Sequence, residues 1–212
     1  MNASGRFFAK EKITMKILYS PASPYSAKVR MAAKFAGLDA EAVLTDTNVA
    51  PAELVDNNPL GKIPTLITDE GQAVYDSRAI MQFIDRAGGK RIYPRNAAKR
   101  TDAEIMEALC DGICDCLLAI MYERRFRPAE IVHQEWIDKQ WGKATRALDH
   151  LEANLPRITK APNGGHFALA AMLGYLGLRF SGQWERGRPK LKRWSAKFAT
   201  SFPELDAMLP KA

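Results

Sequence analysis

The chain has 212 residues, 47% hydrophobic and 26% charged, a globular composition that excludes a disordered or fibrous protein. Its 31 Lys and Arg against 24 Asp and Glu leave a formal charge of +7, which raises nucleic acid, an anionic membrane surface or a small anionic ligand as partners. The excess is local: Glu185–Lys197 holds six cations (Arg186, Arg188, Lys190, Lys192, Arg193, Lys197) against one acid, so nucleic acid is not the expected partner.

Residues 1–14 read as a polar N-terminal extension without the apolar core of a secretory signal. No apolar run is long enough to cross a membrane. Three cysteines (Cys110, Cys114, Cys116) cannot close a disulfide framework, which points to a reducing cytoplasm.

From residue 15 the chain alternates strand and helix signals. Met15–Tyr19 reads as a buried strand. Ser23-Pro24 is a helix start, with Ser as N-cap and Pro at the first helical position; Val29, Ala32, Ala33 and Ala36 form its buried face, and Gly37 ends it. Ala42–Leu44 is a second strand, and residues 48–57 are a short helix or loop. Ile63–Thr68 is a third strand with Pro64 at its entrance, where no ladder donor is needed. Asp69-Glu70-Gly71 turns the chain into a fourth strand, Ala73–Tyr75, and Ser77 caps a helix holding Ile80, Met81 and Ile84. The order β-α-β-α-β-β-α lets the first two strands pair in parallel and the last two as a hairpin.

Residues 88–96 form a linker, and everything beyond reads as helix. Ile105, Leu109, Ile113, Leu117 and Ile120 mark one apolar stripe; Ile137, Trp141, Ala144, Leu148, Leu151 and Leu155 mark another. Pro128 separates the two. A loop over residues 156–165 leads to an apolar helix around Phe167–Phe180, and Pro189 opens a last one with Leu191, Trp194 and Phe198 on one face.

Chemistry-bearing patterns are few. His133, His150 and His166 are scattered, and Cys110-x3-Cys114-x-Cys116 lies within a helical stripe without a second ligand pair, so no metal is expected. Phosphate-binding glycine motifs and a nucleophile elbow are lacking. Ser23 is different: a hydroxyl at a strand-to-helix turn lies beside free helix N–H groups, which stabilise anions and lower a thiol's pKa from about 8.5. Asp76-Ser77 repeats the arrangement at a second helix start, where an amine and a carboxylate could be received. Both are equally consistent with ordinary caps. Pro64 would expose the backbone of Ile63 if its bond were cis.

Three segments, Tyr19-Ser20-Pro21-Ala22-Ser23-Pro24-Tyr25, Asn58-Pro59-Leu60-Gly61-Lys62-Ile63-Pro64 and Tyr75-Asp76-Ser77-Arg78-Ala79-Ile80, followed by helices, resemble bacterial cytosolic glutathione transferases over residues 15–205. The resemblance implies an α/β plus all-α architecture: a thioredoxin-like glutathione-binding domain (15–87), the linker (88–96) and an all-helical domain (97–212). It implies a serine-type enzyme in which Ser23 activates the thiol of glutathione, the co-substrate. Pro64 would be cis, with the Ile63 backbone, Lys62, Asp76 and Ser77 holding glutathione and Tyr25 beside it. Tyr19 is the rival hydroxyl; Ser20 and Ser26 are weaker ones. Tyr122, Arg125 and Phe126 would face a small hydrophobic electrophile. A cytoplasmic homodimer acting in detoxification is the implied setting. A glutathione- or protein-binding relative without turnover and a zeta-like isomerase are the alternatives.

The chain departs from this pattern twice. Asp76 stands where relatives more often carry Glu. The helix after residue 163 lacks the Ser/Thr-x-x-Asp capping box, which predicts a frayed or shortened start.

Overall fold

The computed structural model describes residues 14–212; most of the N-terminal extension lies outside them. Four strands, β1 (Met15–Tyr19), β2 (Ala40–Leu44), β3 (Thr65–Ile67) and β4 (Ala73–Val74), form one sheet in the order β2-β1-β3-β4. β1 pairs with β2 in parallel and with β3 antiparallel, and β3–β4 is a hairpin. Helices α1 (Pro24–Ala36), α2 (Ala52–Asn57) and α3 (Ser77–Ala87) complete a thioredoxin-like N-terminal domain. Alternation along β1 sorts its side chains to the two faces. Ile17 and Tyr19 pack on the side of α1 and α3, and Leu18 meets Leu54, Ile67 and Ile63 on the side of α2.

The helical domain comprises α4 (Ala97–Phe126), α5 (Gln134–Ala153), α6 (Gly164–Arg179), α7 (Pro189–Ser201) and the short α8 (Pro203–Asp206). A 3-10 turn at Ala129–Ile131 follows Pro128. Cys110, Ile113, Cys114, Leu117 and Ile120 of α4 are buried against α5 and α6, but Ile105 is 61% exposed. It lies eight positions before Ile113, about 80° around a helix of 3.6 residues per turn, and so leaves the core stripe that the sequence assigned it to.

One hydrophobic cluster runs from Met31 and Ala32 of α1 through Ile80 and Ile84 of α3 to Phe167 and Met172 of α6. Phe35 of α1 meets Phe167 with ring centroids 5.6 Å apart. The linker is held at its centre: buried Asp85, near the end of α3, accepts from the N–H groups of Ile92 and Tyr93 at 3.0 Å each and binds Arg100 of α4 at 3.0 Å.

The expected frayed start of α6 is not found. Asn163 caps the helix, accepting from His166 N–H, while His166 Nδ1 accepts from the Asn163 N–H. This is a capping box written with Asn and His. Gly164 and Gly165, read as loop residues, form its first turn. A Cβ on Gly164 would come within 2.6 Å of the Tyr93 ring, and one on Gly165 within 2.9 Å of Ala103 O. Glycine therefore permits the close approach of α6 to the linker and α4.

The basic segment is also less uniform than its composition. Arg188 is buried and donates from Nε to Asp149 at 2.9 Å and from Nη1 to the Trp184 carbonyl at 2.7 Å. The exposed cations of α7 are Lys190, Lys192, Arg193 and Lys197; Leu191, Trp194 and Phe198 turn inward as the pattern requires.

Candidate functional site

Ser23 ends a turn that begins at Ser20, whose carbonyl accepts from Ser23 N–H at 3.1 Å. Pro21 occupies the second position of this turn, where its fixed φ fits. Ser23 then caps α1: its Oγ accepts from Ser26 N–H at 3.1 Å. An oxygen that accepts in this way keeps its own proton for another partner. The Ser23 O–H can therefore donate to an anion at the helix N-terminus, where the helix dipole favours negative charge.

Tyr19 is differently engaged. Its ring lies under the Arg30 guanidinium, 4.1 Å from the ring centre, on the Ile17 side of the sheet. Tyr25 donates its hydroxyl to Asp115 of α4. Burial, with Cys114 and the Asp115 carboxylate nearby, pushes the Tyr25 pKa far above its ordinary value, so the phenol stays protonated. Tyr25 thus sits between the two domains.

The second segment is built by Asn58, a buried residue. Its side-chain carbonyl accepts from Leu60 N–H at 3.1 Å, and its amide donates to the Lys62 carbonyl at 2.8 Å and to Thr65 Oγ1 at 3.1 Å. Gly61, at φ 57°, lets the chain turn back. The Ile63–Pro64 peptide bond is cis. The Ile63 side chain packs on the α2 side of the sheet, and the Lys62 side chain is exposed. Asn58 was not legible as an organiser; the Asn-Pro-Leu-Gly run is the turn signal that could have revealed it.

The third segment corrects one expectation. The N-cap of α3 is Asp76, not Ser77: Asp76 Oδ1 accepts from Arg78 N–H at 3.0 Å. Ser77 is the first helical residue and is buried. Arg78 reaches from here toward α4, with Nε 3.5 Å from Asp111 and Nη2 3.8 Å from Asp115.

Beneath these segments lies a polar cluster that the sequence did not announce. Lys28 of α1 is 1% exposed and binds Glu107 at 2.9 Å and both oxygens of Asp111 at 2.8 and 2.7 Å. Tyr93 donates to the other Glu107 oxygen. Burial would lower the Lys28 pKa, but the two carboxylates hold it above its ordinary value. Lys28 occupies a face read as apolar, and its partners are some 80 residues away, so no local pattern could reveal them.

At the far end of α4, Tyr122 and Phe126 pair with ring centroids 5.4 Å apart. With Ala119, Pro128, Ile131, Trp136 and the ion pair Glu123–Arg127 (2.7 Å) they line an open groove of about 490 Å3. Arg125 turns away to donate to Asn48 at 3.3 Å. Cys110 and Cys114 are free and buried, and burial raises both thiols well above their ordinary value, which makes them poor nucleophiles. Among the described residues no group of three His, Cys, Asp or Glu side chains is placed to hold a metal ion.

A thioredoxin-like domain carrying helix-capping Ser23, a cis Pro64 and Asp76-Ser77 along one chain, joined to a helical domain, defines a glutathione transferase-type fold. Comparison with known proteins agrees. Residues 22–87 match the glutathione S-transferase N-terminal domain and residues 134–197 its C-terminal domain. A GST-like protein of Escherichia coli K12, YibF, is 31% identical over 84% of this chain and 90% of its own. A glutathione S-transferase structure from Methylobacillus flagellatus with glutathione bound is 33% identical, with a TM-score of 0.83 over 93% of this chain and all of that one. A Pseudomonas fluorescens family member with bound glutathione is 31% identical, with a TM-score of 0.82 over 94% and 100%. The chain belongs to the glutathione S-transferase family. Among the described residues no helix is long and apolar enough to cross a membrane.

Proposed function

We propose that this protein is a glutathione transferase of the serine type. The Ser23 hydroxyl donates a hydrogen bond to the thiolate of glutathione, the thiol proton having passed to solvent. The sulfur then attacks an electrophilic carbon, and as the C–S bond forms the carbon–leaving-group bond breaks and the leaving group, a halide for an aryl halide, departs as an anion with the bonding pair. The observation that carries the reading is the Ser23 Oγ at the start of α1, accepting from Ser26 N–H and retaining a free proton. Glutathione bound in the Methylobacillus and Pseudomonas relatives supports the same ligand here. Ser23 is preferred to Tyr19 because its hydroxyl stands at the N-terminus of α1, where anions are favoured, whereas Tyr19 packs with Ile17 on the main hydrophobic cluster.

In this reading the Ile63 backbone, next to cis Pro64, pairs with the cysteinyl part of glutathione. Lys62 meets the glycyl carboxylate, and Asp76 and Ser77 receive the γ-glutamyl end. Tyr25 stays near the thiol turn but is committed to Asp115. The exposed Tyr122 and Phe126 offer apolar surface for a small hydrophobic electrophile, with the Glu123–Arg127 pair beside them. The protein works as a cytoplasmic homodimer in detoxification. Exposed Ile105, and Tyr75 beside edge strand β4, supply apolar surface for dimerisation; the mass from sedimentation equilibrium checks this.

Turnover of an activated aryl halide with glutathione tests the activity. The wild type conjugates, and Ser23→Ala loses about 100-fold or more in kcat, as for removal of one transition-state hydrogen-bond donor. Glutathione binding without turnover in the wild type overturns the enzymatic reading in favour of a binding protein.

A further inference from the structure

The segment after α8 runs back to the turn that carries Ser23. Met208 and Leu209 pack on the main hydrophobic cluster, and Pro210 is buried against Gly174 of α6. Gly174 is the position that admits it: a Cβ there would lie 2.8 Å from Pro210 Cδ and 3.3 Å from Leu209 Cβ. The next residue, Lys211, donates its backbone N–H to the Pro21 carbonyl at 3.1 Å. Pro21 is the second residue of the Ser20–Ser23 turn. That turn's own hydrogen bond uses the Ser20 carbonyl and the Ser23 N–H, leaving the Pro21 carbonyl to accept from elsewhere.

The two anchors differ in kind. Pro210 in its glycine notch fixes where the segment lies. The Lys211 N–H then fixes the peptide plane between Pro21 and Ala22, and with it the approach of the chain to the α1 N-cap. A peptide plane free to rotate would change the direction of the Ser23 Oγ relative to a bound sulfur. Hydrogen-bond strength falls steeply with misalignment.

We infer that residues 209–211 form a positioning strap for the thiol site, with the Lys211 backbone N–H setting the Ser20–Ser23 turn so that the Ser23 hydroxyl faces the glutathione sulfur. Lys211 acts through Pro21 and touches no reacting atom, so it is a positioning residue. The inference rests on the serine-type reading above.

The test uses the full chain and two substitutions at one position. Lys211→Pro removes the N–H; Lys211→Ala keeps it and should restore the wild-type result. Hydrogen exchange at the Ser23 amide reads the turn without any activity. It should be about fivefold faster in Lys211→Pro than in Lys211→Ala, the factor expected for one ordinary hydrogen bond. The kcat for aryl halide conjugation should fall by a similar factor with the KM for glutathione little changed, and the apparent pKa of the bound thiol should rise. Gly174→Ala, which forces Pro210 out of its notch, should reproduce these changes from the other anchor. Equal Ser23 exchange and equal thiol pKa in Lys211→Pro and Lys211→Ala would overturn the strap. The outcome is separable from failure of the serine reading: if Ser23→Ala behaves as wild type, that reading falls whatever the exchange rates show.

Discussion

Ser23, His166 and Asn58 are polar residues that act through specific hydrogen bonds to nearby backbone. His166 accepts from Asn163 N–H at Nδ1 and donates from Nε2 to the Arg157 carbonyl at 3.0 Å, stacked near Trp194. Burial lowers its pKa below the ordinary 6.5. An unfolded chain therefore binds this proton more readily than the folded one, and stability is full above a pH of about 6.5 and declines as pH falls toward the lowered value. Denaturant unfolding between pH of about 7 and 5 should show this decline, and His166→Gln should flatten that part of the profile. A profile unchanged by the substitution would contradict it. At this scale the sequence was a good guide to the Ser23 cap and to the cis bond at Pro64, because each lies in a short local pattern. It misassigned the cap of α3, since Asp and Ser are both good caps and adjacent, and it gave no role to Asn58, whose partners are all within seven residues but form an irregular loop rather than a periodic element.

The elements were legible where periodicity was strong. Ile137, Ala144, Leu148 and Leu151 of α5 and the inward face of α7 are buried as the spacing requires, with Trp141 and Leu155 only partly so and Leu155 past the helix end. The start of α6 is not the frayed one expected, because Asn163 and His166 supply the two hydrogen bonds that a Ser/Thr-x-x-Asp box would make. The glycines that suggested a loop are there for tight packing against Tyr93 and Ala103. Asn163→Ala should cost about 0.5–2 kcal/mol, the usual loss for a cap, seen as a lower denaturation midpoint with an unchanged slope. A loss near zero would show that packing alone holds the first turn. α7 shows a related device from a distance: the Glu152 carboxylate of α5 accepts from Lys190 and Leu191 N–H at 2.9 and 2.8 Å. Here the capping carboxylate comes from another helix, which no local pattern announces.

On the scale of the whole molecule, the two domains share one hydrophobic core and one buried ionic cluster. Lys28, Glu107 and Asp111, joined by Arg78 and Tyr93, tie α1 and α3 to α4. Removing Lys28 leaves two carboxylates buried without their cation. Lys28→Met should destabilise the fold by about 3–5 kcal/mol, whereas loss of the solvent-screened pair Lys16–Glu53 should have far less effect. Equal effects of Lys28→Met and Lys16→Met on denaturant unfolding would contradict the assignment. This level was the least legible in the sequence, because contacts between α1 and α4 have no local signature. The positive charge that marks the composition is likewise resolved only in three dimensions, with Arg188 buried, Arg186 exposed in the turn before α7, and Lys190, Lys192, Arg193 and Lys197 on the outside of α7. The functional claim rests on a much smaller part of the molecule, the Ser23 hydroxyl at the start of α1. Ultraviolet titration of the thiolate in the glutathione complex measures it directly. The wild type should ionise bound glutathione well below the free-thiol pKa of about 8.5, and Ser23→Ala should return the pKa toward that value; an unshifted thiol in the wild type, or the same lowered pKa in both proteins, would contradict it.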